Sequence, residues 1–275
     1  MNCVNNILIE TTNKLLSFST SASLDAEVLL SNVLKKDKAW LLANPNFKLN
    51  IWQVIKYNHL IAKRIKHYPI AYLTGQQEFY GLSFKVNKYT LVPRPESELF
   101  IDKLIKINLV KKTIVDIGTG SGCLIITLAK YLPNNFFLGI DISKQALRVS
   151  KTNAQDHNAN IRFIQNNLLN GLNTKMDIVV ANLPYLVAEQ MDEPSIRHEP
   201  TSALLAKDNG LYYYKKLLNQ ISAIKHKPDY ILLEIDPQQT NSIKKYISST
   251  LPEYYIEIAK DLSNNDRLVI LKKDI

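Results

Sequence analysis

Asp116-Ile117-Gly118-Thr119-Gly120-Ser121-Gly122 holds three of the chain's eight glycines. The run before it, Thr113–Ile117, reads as a strand, and Gly122–Tyr131 after it reads as a helix. Glycine at a strand-to-helix turn permits positive φ and lets a ligand come close to the backbone. The spacing is G-x-G-x-G, not the G-x-G-x-x-G of dinucleotide binders, and the absence of a Lys-Ser/Thr ending excludes a P-loop. Asp141 ends the next strand, about 19 residues beyond the last glycine, where a carboxylate can accept two ribose hydroxyls. Asp116 at the mouth of the loop repels a pyrophosphate and suits a cation or an amine. A glycine-rich turn without a ligand is the plainer alternative.

Outward from this loop, strand and helix alternate. Phe136–Ile140 reads as a strand, Lys144–Asn158 as a helix, and Ile161–Ile164 and Met176–Ala181 as strands. Leu211–Ile224 reads as a helix, Tyr230–Glu234 as a strand and Gln239–Ser249 as a helix. Such alternation predicts a parallel, doubly wound α/β sheet. Tyr254–Ala259 and Arg267–Leu271 follow one another with only a short link, which predicts that the last strand inserts antiparallel. S-adenosylmethionine carries a ribose, a sulfonium, an amino group and no phosphate, so it fits the glycine loop with Asp116 and Asp141.

Val179-Val180-Ala181-Asn182-Leu183-Pro184-Tyr185 is the second informative stretch. Ligands of open α/β sheets bind outside the carboxyl ends of the strands, so Asn182 and Tyr185 are expected at the mouth of a site. Asn offers an acceptor and two donors, and Tyr a flat face and a hydroxyl; the pair suits a planar group bearing an NH2. The alternative is a strand ending in a Pro turn with Tyr as packing. After the third strand, Asn167 or Leu168 is expected to flank an adenine ring, or to be an ordinary loop residue.

The N-terminal part differs in texture. Residues 3 to about 68 read as a helical bundle, broken at Asn44-Pro45-Asn46, with Leu24, Val28, Leu29 and Val33, and then Trp52, Ile55, Leu60 and Ile65, as its apolar positions. Asp25 and Glu27 are expected to open a helix at its positive dipole end. Residues 70–92 are rich in strand formers around Gly81 and read as a β-hairpin connector. In Pro93-Arg94-Pro95-Glu96-Ser97-Glu98, Pro95 suits the first helical position of a helix over about 95–107, with Glu96 a helix-start residue. Domain boundaries are accordingly expected at 1–74, 75–92 and 93–275.

With 275 residues, 46% hydrophobic and 21% charged, the chain suits one or two globular domains, and no apolar run is long enough for a membrane span. Two cysteines, Cys3 and Cys123, and an opening Met1–Asn6 without the pattern of a secretory signal lead to the expectation of a cytoplasmic protein. The five histidines lack metal-ligand spacing, so no metal is expected. The net charge of +9 favours an acidic partner, but it is scattered through pairs such as Lys35-Lys36 and Lys244-Lys245. Direct nucleic-acid binding is therefore not expected.

The glycine loop, Asp141 and Asn182–Tyr185 together resemble a class I S-adenosylmethionine-dependent methyltransferase. Ala71-Tyr72-Leu73-Thr74-Gly75, Glu78-Phe79-Tyr80, Leu91 through Glu98, Arg197-His198-Glu199-Pro200 and Asn265-Asp266-Arg267 narrow the resemblance to the release factor glutamine methyltransferases, the PrmC/HemK family. The similarity runs from about Asp25 to the C-terminus. Two positions depart from the family's pattern: its loop reads Asn-Pro-Pro-Tyr where this chain has Leu183, and it usually carries an acid where this chain has Asn167. Asn-Leu-Pro-Tyr is the form seen in rRNA adenine dimethyltransferases.

The resemblance implies a Rossmann-like sheet preceded by a helical domain that docks the substrate. It implies methylation of the side-chain amide nitrogen of the glutamine in the Gly-Gly-Gln tip of class 1 peptide-chain release factors. Asn182, Pro184 and Tyr185 are then the catalytic residues. Asp116, Gly118, Thr119, Gly120, Ser121, Gly122, Asp141, Asn167, Leu168 and Asn182 hold S-adenosylmethionine. Leu183 contacts the substrate beside the catalytic three, and Arg197 and Glu199 shape its entrance, an exposed ion pair being the plainer alternative. Two rivals stand beside this reading: an adenine-N6 methyltransferase acting on RNA or DNA, and a catalytically impaired release-factor-binding module.

Overall fold

In the computed structural model, residues 2–107, 109–172 and 174–273 are described. The ends of the first and last expected domains, Met1 and Asp274–Ile275, lie outside the described residues. The chain divides into two compact units: residues up to Gln76 joined by Glu193–His198, and Gln77–Asp192 joined by the chain from Glu199 onward.

The first unit is helical: α1 (Val4–Leu15), α2 (Ala22–Leu34), α3 (Lys38–Ala43), α4 (Ile51–Ile65) and α5 (Ile70–Thr74). Polar caps set the starts of two of them. Asp37 accepts from the Trp40 N–H, and Asn50 and Gln53 exchange side-chain-to-backbone bonds in a capping box. Leu15, Leu29, Leu30, Leu41 and Tyr57 fill the core. Trp52 and Ile55, expected inside, are 76% and 52% exposed; Tyr57, Leu60 and Ile61 are the residues α4 buries. The apolar face of α4 is thus turned from the expected one, because Trp52 and Ile55 lie off the 57/60/61 stripe.

Asp25 does lie in the first turn of α2, but a helix dipole is not its main partner. It is buried, 2.6 Å from the Arg64 guanidinium, and accepts hydroxyls from Ser19 and Ser21. His198 returns to this unit: its ring stacks on Tyr68, and Nε2 lies 2.7 Å from the Lys66 carbonyl and so carries the proton.

A hairpin of β1 (Gln76–Phe79) and β2 (Leu82–Lys85) follows, in the second unit from Gln77 onward. Tyr80 and Gly81 both have positive φ, the backbone a two-residue turn of the right twist requires. The connector is shorter than expected on both sides. Residues 70–74 form α5, and the ladder stops at Lys85, whose N–H and carbonyl are taken by the Asn153 side chain. Residues 86–94 are irregular, and the Val92 N–H goes to Glu199 instead of a strand. The helix expected over 95–107 starts as a 3-10 turn at Pro95–Ser97 and continues as α6 (Glu98–Ile105).

The remaining elements are β3 (Thr113–Ile117), α7 (Cys123–Tyr131), β4 (Phe136–Asp141), α8 (Lys144–Asp156), β5 (Arg162–Gln165), β6 (Ile178–Ala181), α9 (Tyr212–Ala223), β7 (Tyr230–Glu234), α10 (Thr240–Thr250), β8 (Tyr254–Lys260) and β9 (Asp266–Lys273). The strands form one seven-stranded sheet in the order β5-β4-β3-β6-β7-β9-β8. β9 runs antiparallel to both neighbours, and the other pairings are parallel. Val115, Ile117, Val179 and Ala181 face one core, and Ile114, Ile178 and Val180 the other. Burial on both faces explains the near-continuous apolar runs of these strands. The strand order reverses between β3 and β6, where Ile117 pairs with Ala181, so Gly118 and Asn182 leave the sheet side by side at its switch point.

Candidate active site

A cavity opens at the carboxyl ends of β3, β4 and β6. Asp116, the glycine loop through Ser121, Asp141, Asn167, Leu168, Asn182, Leu183 and Pro184 all line it. Gly118, Gly120 and Gly122 have φ of +78°, +55° and +81°, as the loop's curvature demands. A side chain at Gly118 would stand 3.0 Å from Leu183 Cδ2, and one at Gly122 would meet Ile126 and Ser150. The loop is fixed from both ends: the Gly118 and Thr119 N–H groups bond the Ile140 carbonyl, and Asn153 Nδ2 holds the Ser121 carbonyl at 2.8 Å.

The two acids differ. Asp141 accepts the Gly120 N–H at 2.9 Å and the Ser143 N–H at 2.8 Å, one on each oxygen, which leaves each oxygen a further lone pair. Burial raises its pKa against those two bonds. Asp116 is 2% exposed, and its Oδ2 has no donor among the described residues. The Thr119 hydroxyl beside it eases the charge without reaching hydrogen-bonding geometry. Burial, with Asp141 close by, pushes the Asp116 carboxyl up to about 7. A buried acid with an unfilled oxygen at a cavity wall is suited to a ligand that brings a cationic donor.

After β6 the backbone is held by groups behind the cavity. Asn182 Nδ2 donates to Ser97 Oγ at 2.9 Å, and Ser97 Oγ donates to Glu234 Oε2. Tyr185 Oη donates to Glu234 Oε1 at 3.1 Å. Tyr185 is not among the residues lining the cavity, so its ring is not presented there as the sequence leads one to expect. Burial and the Glu234 charge hold its phenol far above the ordinary range. Burial likewise raises Glu234, with Ser97, Tyr185 and Arg267 pulling the other way. Gln239 Nε2 bonds the Tyr185 carbonyl at 2.9 Å, across a gap that only glycine at 210 leaves open. Arg197 belongs to the other compact unit, where it is exposed.

Residues 95–200 match the methyltransferase small domain model, and residues 6–75 match the PrmC N-terminal domain model. A release factor glutamine methyltransferase of Enterococcus faecalis is 39% identical over 215 residues, spanning 76% of this chain and 78% of the relative. The chain belongs to the release factor glutamine methyltransferase family. Another release factor glutamine methyltransferase, of Bacillus anthracis, is 32% identical over 88% of this chain and 90% of its own length. Among solved structures, a methyltransferase from Pyrococcus furiosus has a TM-score of 0.55 at 18% identity, over 78% of this chain and 98% of that one. It shares the fold.

Against the family's Asn-Pro-Pro-Tyr, Leu183 has defined contacts. Its N–H donates to Tyr214 Oη at 3.2 Å, a bond proline cannot make. Tyr214 spends its single proton on the Glu234 carbonyl, so its oxygen is free to accept. The Leu183 side chain is buried over Gly118 and ties the two loops together. Glu199, expected with Arg197 at the substrate entrance, is a buried carboxylate that accepts the Val92 N–H and pairs with Arg94, a cavity residue, at 2.6 Å. Ser97, Asn153, Tyr214, Glu234 and Gln239 also support the site, and no sequence motif marks them as site residues. Their sequence signal was faint: Glu234 ends an apolar strand facing the same end as Asn182, and an acid there is a cue.

Proposed function

We propose that the chain methylates the side-chain amide nitrogen of the glutamine in the Gly-Gly-Gln tip of class 1 peptide-chain release factors, with S-adenosylmethionine as donor. The reading rests on Asn182, held at the switch point beside the glycine loop in a chain of this family. When bound, S-adenosylmethionine supplies a methyl carbon made electrophilic by its sulfonium. Asp141 keeps a lone pair on each oxygen for the ribose hydroxyls, and the unfilled oxygen of Asp116 takes a cationic amine. Asn167 and Leu168 flank the adenine from the end of β5. The turn from Gly118 to Gly122, with Thr119 and Ser121, lets the donor lie against backbone.

An amide nitrogen is a poor nucleophile because its lone pair is shared with the carbonyl. Asn182 Oδ1 and the Leu183 carbonyl each accept one hydrogen of the substrate NH2 and so aim that lone pair. Pro184 shapes the wall, and Tyr185, through Glu234, fixes the turn. Catalysis is then mainly positioning, which can supply about 7–11 kcal/mol of a barrier when alignment is good. No strong base is required, because the nitrogen sheds its proton after alkylation, when it is far more acidic than an amide. The helical unit of residues 1–74 docks the release factor, 75–92 links, and 93–275 carries the chemistry. The protein works in the cytoplasm, where its substrate is, and needs no metal.

Incubation with a purified class 1 release factor and S-adenosylmethionine adds about 14 Da to the Gly-Gly-Gln peptide. Asn182→Ala loses most of that product and still binds the donor. Full turnover by Asn182→Ala, or methyl label only in nucleic acid, overturns the reading.

A further inference from the structure

A side-chain amide can be turned end for end with little change in shape, and the two ends do opposite things: oxygen accepts, nitrogen donates. An Asn that must accept from a substrate NH2 therefore needs something that fixes its polarity. Here the fixing group is one residue removed. Glu234, at the carboxyl end of β7, is 1% exposed and does not line the cavity; Ser97 and Asn182 do. A carboxylate only accepts, and its two oxygens take the hydroxyls of Tyr185 and Ser97. Ser97 has a single proton, so once it is given to Glu234 the Ser97 oxygen must act as acceptor toward Asn182. That selects the NH2 end of Asn182 for the wall, at 2.9 Å, and leaves Oδ1 for the cavity.

We infer that Glu234 is a positioning residue that acts through Ser97 to set which end of the Asn182 amide meets the substrate. The inference rests on the reading that Asn182 Oδ1 accepts from a glutamine NH2. Its specific consequence concerns polarity. Gln at 234 has the shape of Glu and an NH2 that can donate to Ser97. The Ser97 proton is then released toward Asn182 and favours the flipped amide, which presents a donor to a donor.

The test is single-turnover methyl transfer to a purified class 1 release factor by wild type, Glu234→Gln, Ser97→Ala, the double variant and Asn182→Ala, with donor affinity measured by calorimetry. Expected is a fall of about tenfold or more in the rate constant for Glu234→Gln and for Ser97→Ala, with donor Kd and release factor KM within about twofold of wild type. The double variant falls no further than the weaker single one, because both break the same relay. Independent structural effects would instead multiply. Multiplying losses, or wild-type rates in Glu234→Gln or Ser97→Ala while Asn182→Ala is inactive, overturn the relay and leave the Asn182 reading standing. An active Asn182→Ala removes the underlying reading itself. Should Glu234→Gln not fold, Ser97→Ala alone decides by the same rate criterion.

Discussion

Replacing Asp116 by Asn should make the unliganded protein more stable and the liganded one less so. Asp116 is buried, one of its oxygens meets no donor, and its carboxyl is pushed up to about 7 from 3.8. An acid whose folded pKa lies above its unfolded value holds its proton more readily in the folded state. Stability therefore falls as pH rises from about 4 to about 7 and is level above that, with a total loss of about 4 kcal/mol if the whole difference is realised. Asn carries no charge and escapes this loss, though its buried amide gives back about 1–3 kcal/mol where it lacks partners. The assay is urea unfolding of both proteins at pH 5 and pH 8. Asp141 and Glu234 are raised too and titrate in both proteins, so the difference between the two curves reports residue 116 together with its coupling to Asp141. Asp116→Asn should gain on wild type by about 2 kcal/mol or more between the two pH values. Donor affinity of wild type should weaken up to about tenfold per unit as pH drops below about 7, and that slope should vanish in the variant. Parallel stability curves, or unchanged donor affinity in Asp116→Asn, would refute the assignment of this carboxylate to a cationic partner.

Leu183→Pro removes the N–H that Tyr214 accepts and the side chain over Gly118. Stability should fall by about 2–4 kcal/mol with no gain in turnover; a large gain, measured with release factor at saturation, would mean that the native loop is impaired. Gly210→Ala places a methyl 2.0 Å from the Tyr185 carbonyl at φ +81°. It should cost more than about 2 kcal/mol in denaturant titration and abolish transfer, because the backbone after Asn182 must move. Arg64→Ala leaves Asp25 buried without its cation and should destabilise the helical unit by about 3–5 kcal/mol, read by thermal unfolding.

The parallel doubly wound sheet, the inserted last strand and the two loops at carboxyl ends were legible in the sequence, since buried parallel strands write long apolar runs; the strand order that sets Gly118 beside Asn182 is visible only in the sheet. The support behind the site was not legible. Ser97 reads as one residue of a helix start, yet its hydroxyl is spent 137 positions away on Glu234. Tyr214 sits among ordinary apolar residues of α9, and only its contacts with Leu183 and Glu234 distinguish it. Such partnerships are set by sheet register and not by local spacing. Trp52 is the opposite case: a large apolar side chain at nearly helical spacing reads as inward-facing and is exposed.

The insertion of β9 has a consequence for folding. Asp266–Lys273 lies between β7 and β8 rather than at the rim. Without β9 in place β7 is an open edge, a template for wrong pairing. Glu234 ends β7 and pairs with Leu268, so the wall behind Asn182 closes only when β9 docks. A fragment cut just before β9 would carry the whole glycine loop and every cavity residue, and would still lack a finished site.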